Sequence, residues 1–280
     1  MSKICFLILA HKNQDQLMRL INHLKKDFDI YVHIDKKSNL NIKSFDNVKI
    51  YNDFKVYYAD VTQVTTTLFL IEEAYKNYYD RYIFISGNDI PLKNNQYIKK
   101  LFYNNTFEYI SYKRVLDSKD QEFLYSVDWR LNGYHFLPKI VRKLTNKKLL
   151  NIILRRKKFD MDIYYGSSWW NLTNNAVKYI LDYVKENPFY IKRFKYTFGC
   201  DEFFFQSILL NSNLKNNCIN DNLRYIDWNR MIGSHPHTFL FDDYNLIKSN
   251  IKDNLFARKF DENIDNDIID KLYEDLENSN

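Results

Sequence analysis

The sequence predicts an α/β fold in which a mostly parallel sheet carries helices on both faces. Short apolar runs, typical of buried strands, alternate with segments of helical apolar spacing over the first 110 residues. Apolar residues make up 45% of the 280 residues, which is enough for a large core. Five glycines and four prolines leave little material for flexible linkers or disordered segments. We therefore expect one domain spanning residues 1–280.

The first 112 residues contain the regular part of this alternation. Continuous apolar or β-branched runs predict strands at residues 4–10, 30–34, 48–51, 82–86 and 109–112. Apolar residues spaced three or four apart predict helices at residues 14–26, 61–76 and 96–102. Strands that alternate with helices in this way form parallel sheets.

Polar side chains follow three of these strands. His11 and Asp35 come directly after a strand, and Asp89 ends the turn that follows residues 82–86. Ligands of α/β sheets bind outside the carboxyl ends of the strands. We therefore expect these three side chains to converge on one edge of the sheet.

The second half is less regular. A basic, apolar-interleaved helix is predicted at residues 138–158, and further helices at 176–186, 201–210 and 265–277. The sequence Asn187-Pro188 stops the helix at 176–186. There is no internal repeat, and no linker separates the halves, which we divide at residues 112 and 113.

The net charge of +6 comes from one segment. Residues 138–159 contain nine Lys and Arg and no acid, and the remainder carries 32 cations against 35 acids. A general nucleic-acid-binding protein spreads positive charge more widely, so the sequence argues against that class. The basic segment is either a contact with an anionic membrane surface or a solvated helix.

The cysteines and the N-terminal segment indicate a cytoplasmic protein. Cys5, Cys200 and Cys218 have no metal-ligand spacing, and an odd number cannot all pair internally. The apolar run at residues 4–10 is too short to span a bilayer. We expect a cytoplasmic location, with the basic segment as the candidate contact to the inner face of the membrane.

Two acids and three tryptophans are candidate site residues. Asp201 and Glu202 begin a predicted helix, where a carboxylate is either a cap or, next to the aromatic run that follows, a proton acceptor with a raised pKa. Trp169 and Trp170 form an adjacent pair, and such a pair usually divides into one core and one surface side chain. Trp228 is a further candidate for stacking on a sugar ring.

The sequence predicts no metal site. The two Asp-x-Asp pairs, at residues 160–162 and 265–267, do not follow a buried strand, and His235-Pro236-His237 lacks a third ligand at suitable spacing. Arg258 and Lys259 lie between large apolar residues, which fits either a desolvated anion partner or a surface pair with buried stems. No nucleophile elbow, Walker loop or Gly-x-Gly-x-x-Gly sequence occurs.

Seven segments in order resemble the core-2/I-branching β-1,6-N-acetylglucosaminyltransferase family, which also contains peptide O-xylosyltransferases. The resemblance runs from about residue 3 to 262, and the missing cysteine framework of animal members suits a bacterial type. The segments are Leu9-Ala10-His11-Lys12, Val32-His33-Ile34-Asp35, Ser86-Gly87-Asn88-Asp89-Ile90-Pro91-Leu92, Gly166-Ser167-Ser168-Trp169-Trp170, Asp201-Glu202, Leu223-Arg224-Tyr225-Ile226-Asp227-Trp228 and Phe256-Ala257-Arg258-Lys259-Phe260.

This resemblance implies a GT-A-like fold and an inverting transfer from a UDP-sugar that needs no metal or other cofactor. Residues 1–112 would bind the nucleotide sugar, and residues 113–280 would supply the acceptor site and the catalytic groups. Glu202 matches the family's catalytic base, and Lys259, beside Arg258, matches a cation on the donor diphosphate. Trp228 matches an aromatic residue on the acceptor side.

The remaining residues are assigned by the same resemblance. His11, Asp35 and Asp89 are expected to line the donor site, and Trp169, Trp170 and Asp201 to contact substrate. The family's second diphosphate cation would fall near residues 235–237, where this chain has histidines. We therefore expect either that phosphate binding is weaker or pH-sensitive, through His235, or that Arg230 supplies the charge.

The expected function is therefore the transfer of GlcNAc, xylose or another sugar to a glycan hydroxyl during surface polysaccharide synthesis. The acceptor would be a glycan or a lipid-linked oligosaccharide. The alternative is a non-catalytic peripheral membrane protein that binds sugar or lipid, in which the basic helix is the functional element.

Overall fold

We describe the protein from a computed structural model, which covers residues 2–135, 156, 159–252 and 254–279. The predicted basic helix at residues 138–158 lies outside the described residues, apart from Arg156. Among the described residues, no helix is long and apolar enough to cross a bilayer.

The strands and helices alternate in the first half as the sequence predicts. The strands are β1 (Ile4–Ala10), β2 (Asp29–Ile34), β3 (Val48–Tyr51), β4 (Arg81–Ser86), β5 (Asp89–Pro91), β6 (Glu108–Ile110), β7 (Lys113–Arg114), β8 (Tyr164–Tyr165), β9 (Trp170–Thr173), β10 (Cys218–Ile219), β11 (Arg224–Ile226) and β12 (Phe256–Arg258). The helices are α1 (Gln14–Leu24), α2 (Val61–Tyr75), α3 (Asn95–Leu101), α4 (Gln121–Asn132), α5 (Asn174–Glu186), α6 (Pro188–Phe194), α7 (Phe204–Leu210), α8 (Tyr244–Ser249) and α9 (Asp267–Asn278).

The central sheet confirms the predicted GT-A-like, mostly parallel architecture. Within the described residues its strand order is β10-β6-β9-β4-β1-β2-β3. Strand β1 is parallel to β2 and to β4, β2 is parallel to β3, and β10 is parallel to β6. Strand β9 is antiparallel to both of its neighbours, β4 and β6.

Helices cover both faces because side chains of a strand alternate between the faces. In β1, Phe6 and Ile8 join the apolar cluster that contains the buried face of α1. Cys5 and Leu7 join the opposite cluster, which contains the buried residues of α2. The central strands are therefore buried on both sides, which explains their uninterrupted apolar sequences.

The structure also contains a second sheet that the sequence prediction lacked. Its three strands have the order β11-β12-β5, with β12 parallel to β11 and antiparallel to β5. This sheet pairs Arg258 with Asp89 in register. Strand β5 begins where the turn after β4 was predicted, so this turn leads from the central sheet into the second one.

The predicted helix at residues 201–210 is wrong at its start. Residues Cys200–Glu202 form a 3₁₀ helix, and α7 begins at Phe204. Phe203, with φ −124°, separates the two and is fully buried, with its ring against that of Tyr165. Because the backbone of Phe203 is not helical, the orientation of Glu202 is set by the 3₁₀ helix and not by α7.

Candidate active site

The 3₁₀ helix Cys200–Glu202 carries the two predicted acids, and a glycine fixes its entry. Gly199 has a left-handed backbone, with φ +64°. A Cβ at this position would lie 2.1 Å from Nη2 of Arg130, so a larger residue would displace that guanidinium. The amide of Gly199 donates to the carbonyl of Ala59 at 2.6 Å, which ties the segment to the loop before α2.

Glu202 pairs with Arg130, a residue of α4. The guanidinium donates to a carboxylate oxygen of Glu202 and to the carbonyls of Phe198 and Gly199, at 3.1 and 3.2 Å. Burial raises the pKa of Glu202 to about 6, although Arg130 acts in the opposite direction. The side chain keeps 26% of its surface exposed, so a hydroxyl in the cleft can reach it.

Asp201 is held from the other side. Its carboxylate accepts a hydrogen bond of 2.5 Å from the hydroxyl of Ser168. Burial raises the pKa of Asp201, and the Ser168 bond lowers it. The interpretation of Asp201 as a helix cap is wrong, because neither the 3₁₀ helix nor α7 has a side-chain cap at its N-terminus.

The two adjacent tryptophans divide as such pairs usually do. Trp169 lines the cleft, and its ring lies 4.6 Å from the guanidinium carbon of Arg258. Trp170, the first residue of β9, has no exposed surface and packs against Phe84 and Phe205. Trp170 was assigned to substrate contact, and this assignment is wrong because the side chain belongs to the core.

A buried carboxylate orients Arg258. Asp89 has no exposed surface and accepts hydrogen bonds from the amide and hydroxyl of Ser86, at 2.7 and 2.5 Å. One of its oxygens lies 3.3 Å from Nη1 of Arg258, and the other lies 3.7 Å from Nε of Arg224. Asp89 was predicted to line the donor site. Because it is fully buried, it would affect a ligand by orienting Arg258.

The predicted edge residues do meet at the ends of β1 and β2. The amide of Asp35 donates to the carbonyl of Ala10 at 2.8 Å. The pKa of His11 is lowered by burial and by the neighbouring Lys12 and Arg258. Burial, Lys12 and Arg258 also lower the pKa of Lys259. Cations therefore crowd this edge, which favours an anionic ligand.

Glu202 and Arg258 line one cleft of about 950 Å³. Trp169, Trp228 and His235 line it as well, whereas His11, Asp35 and Lys259 lie outside its lining. The structure thus places the predicted base and one predicted cation in the same cavity, with the crowded cationic edge as a neighbouring site.

Arg230 and His235, the residues predicted at the place of a second diphosphate cation, differ in their surroundings. Arg230 bonds the carboxylates of Asp227 and Asp243, both at 2.7 Å, and is not among the residues lining the cleft. His235 lines the cleft, with its ring 5.2 Å from that of Tyr58. Within the described part of the chain, no cluster of three or more His, Cys, Asp or Glu could hold a metal ion.

Sequence reasoning missed Arg130 and Arg224. Helix α4, which carries Arg130, was not predicted, and its partner Glu202 is 72 residues away in the chain. Arg224 has no exposed surface in its side chain, and burial lowers its pKa to about 10. The one available signal was that Arg224 lies in a segment that resembles the family, and this resemblance assigned no role to Arg224.

Comparisons with known proteins identify the family of this chain. A family model described as Core-2/I-Branching enzyme matches residues 4–255. Xylosyltransferase 1 of Rattus norvegicus is 22% identical over 309 residues, covering 96% of this chain and 35% of that protein. Xylosyltransferase 1 of Homo sapiens is 23% identical over 300 residues, covering 96% and 30% respectively.

A solved structure titled WbbM bifunctional glycosyltransferase, in its apo form, is also similar. It has a TM-score of 0.40 and 14% identity, and the match covers 92% of this chain and 45% of that one. The chain spans about a third of the length of the curated relatives it matches.

Proposed function

Since this chain belongs to the Core-2/I-branching enzyme family, we propose that it is an inverting glycosyltransferase that works without a metal. It moves GlcNAc, xylose or another sugar from a UDP-sugar to a glycan hydroxyl in surface polysaccharide synthesis. The observation that carries the proposal is Glu202, whose pKa of about 6 lets it accept a proton at neutral pH, in one cleft with Arg258.

Glu202 acts as the general base. The acceptor oxygen forms a bond to the anomeric carbon while the bond from that carbon to the UDP oxygen breaks. The acceptor proton moves to the carboxylate of Glu202, and the electron pair leaves with UDP. The base works best when its pKa lies near the operating pH, because it is then both ionised and basic. A single displacement from the face opposite UDP inverts the anomeric centre.

Arg258 and Lys259 stabilise the leaving UDP. Departure concentrates negative charge on the diphosphate, and fixed cations stabilise this charge in place of a divalent metal. Asp89 and the ring of Trp169 hold the guanidinium of Arg258 before any donor arrives. Burial, and then repulsion from Lys12 and Arg258, lowers the pKa of Lys259, and an incoming diphosphate would offset this repulsion.

The nucleotide binds at the edge formed by β1 and β2, near His11 and Asp35. One oxygen of Asp35 is used inside the protein, since it accepts from the amides of Lys37 and Val56 at 3.0 and 3.2 Å. Lys37 lies 3.3 Å from the other oxygen. Asp35 is therefore a rigid acceptor at the place where the ribose or base of UDP would lie.

The membrane contact proposed for residues 138–158 rests on the sequence. Arg156, the cation of this segment that the structure describes, donates to the carbonyls of Leu131 and Gly133 at 2.8 and 3.2 Å. It also lies 3.1 Å from the hydroxyl of Thr197, and burial lowers its pKa to about 10. Arg156 is thus committed to the fold, and a membrane contact would depend on its neighbours.

Replacing the base tests the proposal. We expect Glu202→Gln to lower the rate of transfer by roughly 10²–10⁴-fold, the usual contribution of a general base. UDP should still bind, because Arg258 and Lys259 are unchanged. The exposed Glu186→Gln in α5 is the matched control. The assay measures UDP released from a panel of UDP-sugars. Turnover like that of the wild type in Glu202→Gln would exclude this role.

A further inference from the structure

The cleft extends beyond the catalytic groups along a set of aromatic rings, which we call the aromatic shelf: Tyr58, Trp129 and Phe198. All three line the cleft. The ring of Phe198 lies 5.7 Å from that of Trp129 and 6.3 Å from that of Tyr58. Trp129 is 46% exposed and Tyr58 is 57% exposed, although both are large aromatic side chains.

The shelf begins beside the base. Trp129 precedes Arg130 in α4, and the same Arg130 side chain that bonds Glu202 also donates to the carbonyl of Phe198. A ligand that presents a hydroxyl to Glu202 therefore has the shelf within reach of its next group.

Contacts with neighbouring residues hold Trp129 and Tyr58 of the shelf in place. His135 packs its ring 4.2 Å from that of Trp129 and bonds the carbonyl of Trp129 at 2.7 Å. The hydroxyl of Tyr58 donates to that of Ser234 at 3.1 Å, which ties this end of the shelf to the segment carrying His235. Rigid aromatic surfaces that stay exposed in a cleft are typical of ligand-binding sites.

The space and the chemistry fit a saccharide. His11, Asp35 and Lys259 do not line this cleft, whereas Arg258 does, so its volume of about 950 Å³ holds the diphosphate end of the donor next to Arg258, the transferred sugar and the acceptor. The C–H faces of pyranose rings pack on flat aromatic rings. Arg130, the cation beside the shelf, is already paired with Glu202, which leaves it poorly placed to bind the carboxylate of an acidic peptide.

We propose that the aromatic shelf binds the second ring of the acceptor, next to the ring that receives the new sugar. The acceptor is then the end of an oligosaccharide or polysaccharide with at least two rings. This inference rests on the proposed function, and it narrows the acceptor class for the same cleft.

Matched ligand pairs test the shelf. In the presence of UDP, saturation-transfer NMR gives the affinities of methyl galactoside and methyl lactoside, of methyl N-acetylglucosaminide and methyl chitobioside, and of a Ser-Gly peptide with acidic flanks. We expect the disaccharide of at least one pair to bind about tenfold tighter than its monosaccharide, the size of one good aromatic contact. Trp129→Ala and Tyr58→Ala should each remove this difference.

Tyr125→Ala is the matched control, because Tyr125 lies one turn earlier on α4, is 75% exposed and does not line the cleft. It should keep the disaccharide advantage. Equal affinities within every pair, an advantage that survives both shelf variants, or binding of the peptide alone would overturn the shelf. A failure of UDP itself to bind would instead overturn the proposed function together with the shelf.

Discussion

Arg130 should control the pH at which Glu202, the proposed base, is ionised. It pairs with Glu202, and its guanidinium carbon lies 4.8 Å from the ring of Phe203 and 5.3 Å from that of Tyr165. Arg130→Met keeps the apolar packing on these rings and removes the charge. Burial then raises the pKa of Glu202 without the opposing effect of Arg130.

The size of the effect follows from the pair. An opposite charge at this range lowers a carboxyl pKa by about 1–3 units, so the pKa of about 6 should rise to roughly 7–9 in the variant. At pH 7 the ionised fraction of Glu202 is roughly 90% in the wild type, and it should fall to between about 50% and 1%. The transfer rate at pH 7 should drop in proportion and recover above pH 9.

The assay is the pH dependence of UDP release during transfer. The wild-type rate should rise through about pH 6, and the curve of Arg130→Met should move to higher pH by at least one unit. Arg130→Lys should move it less. Arg114→Met, which breaks the partly exposed pair with Asp162, should leave it unchanged. A curve for Arg130→Met that still rises near pH 6, or one reduced equally at every pH, would refute the reasoning.

Two further predictions concern the donor end of the cleft. Transfer should continue at an unchanged rate in EDTA, and a complete loss that Mn²⁺ restores would contradict the metal-free proposal. Asp89→Asn should lower the free energy of unfolding by about 3–5 kcal/mol in urea titrations, because it leaves buried Arg224 without its partner carboxylate. It should also raise the KM for the donor through Arg258. In the partly exposed control, Asp162→Asn, the loss should stay below about 1 kcal/mol, and an unchanged KM in Asp89→Asn would remove Asp89 from the donor site.

Strands β1, β2 and β4 of the central sheet could be predicted because they are buried on both faces. Strands β1 and β3 have the predicted bounds, and β2 and β4 begin one residue earlier than predicted. A strand of this kind is a continuous apolar run, so its own sequence specifies it. The pairing order of the strands was not needed for that prediction.

The second sheet could not be predicted in the same way. Strands β5, β11 and β12 have three residues each and contain Asp89, Arg224 and Arg258. Three residues show no periodicity, and charged residues in them do not indicate burial. These strands exist because Phe256 pairs with both Arg224 and Pro91, which are far away in the chain.

Part of the site could be predicted, because some of its residues lie in short segments that resemble the family. Glu202, Arg258 and Trp169 lie in short segments that carry a resemblance, and the structure places all three in one cleft. Whether Trp169 or Trp170 faces the cleft depends on the first residue of β9, which sets the alternation of faces. Arg130 depends on a contact between distant segments, which no local pattern indicates.

One pair of residues in the central sheet is connected to both the proposed base and the proposed cation. Phe84 of β4 pairs with Trp170 of β9. On the β4 side, the carbonyl of Phe84 accepts a hydrogen bond from Arg224. Arg224 and Arg258 each lie near one oxygen of the Asp89 carboxylate.

On the β9 side, the two residues that precede Trp170 are Ser168, which holds Asp201, and Trp169, which stacks on Arg258. Glu202 and Arg258 are therefore both connected to the same residue pair of the central sheet, although each lies outside that sheet. A transferase that inverts in one step needs the base and the leaving-group cation on opposite sides of one carbon at a fixed separation. A rigid sheet gives that separation more accurately than two independent loops could.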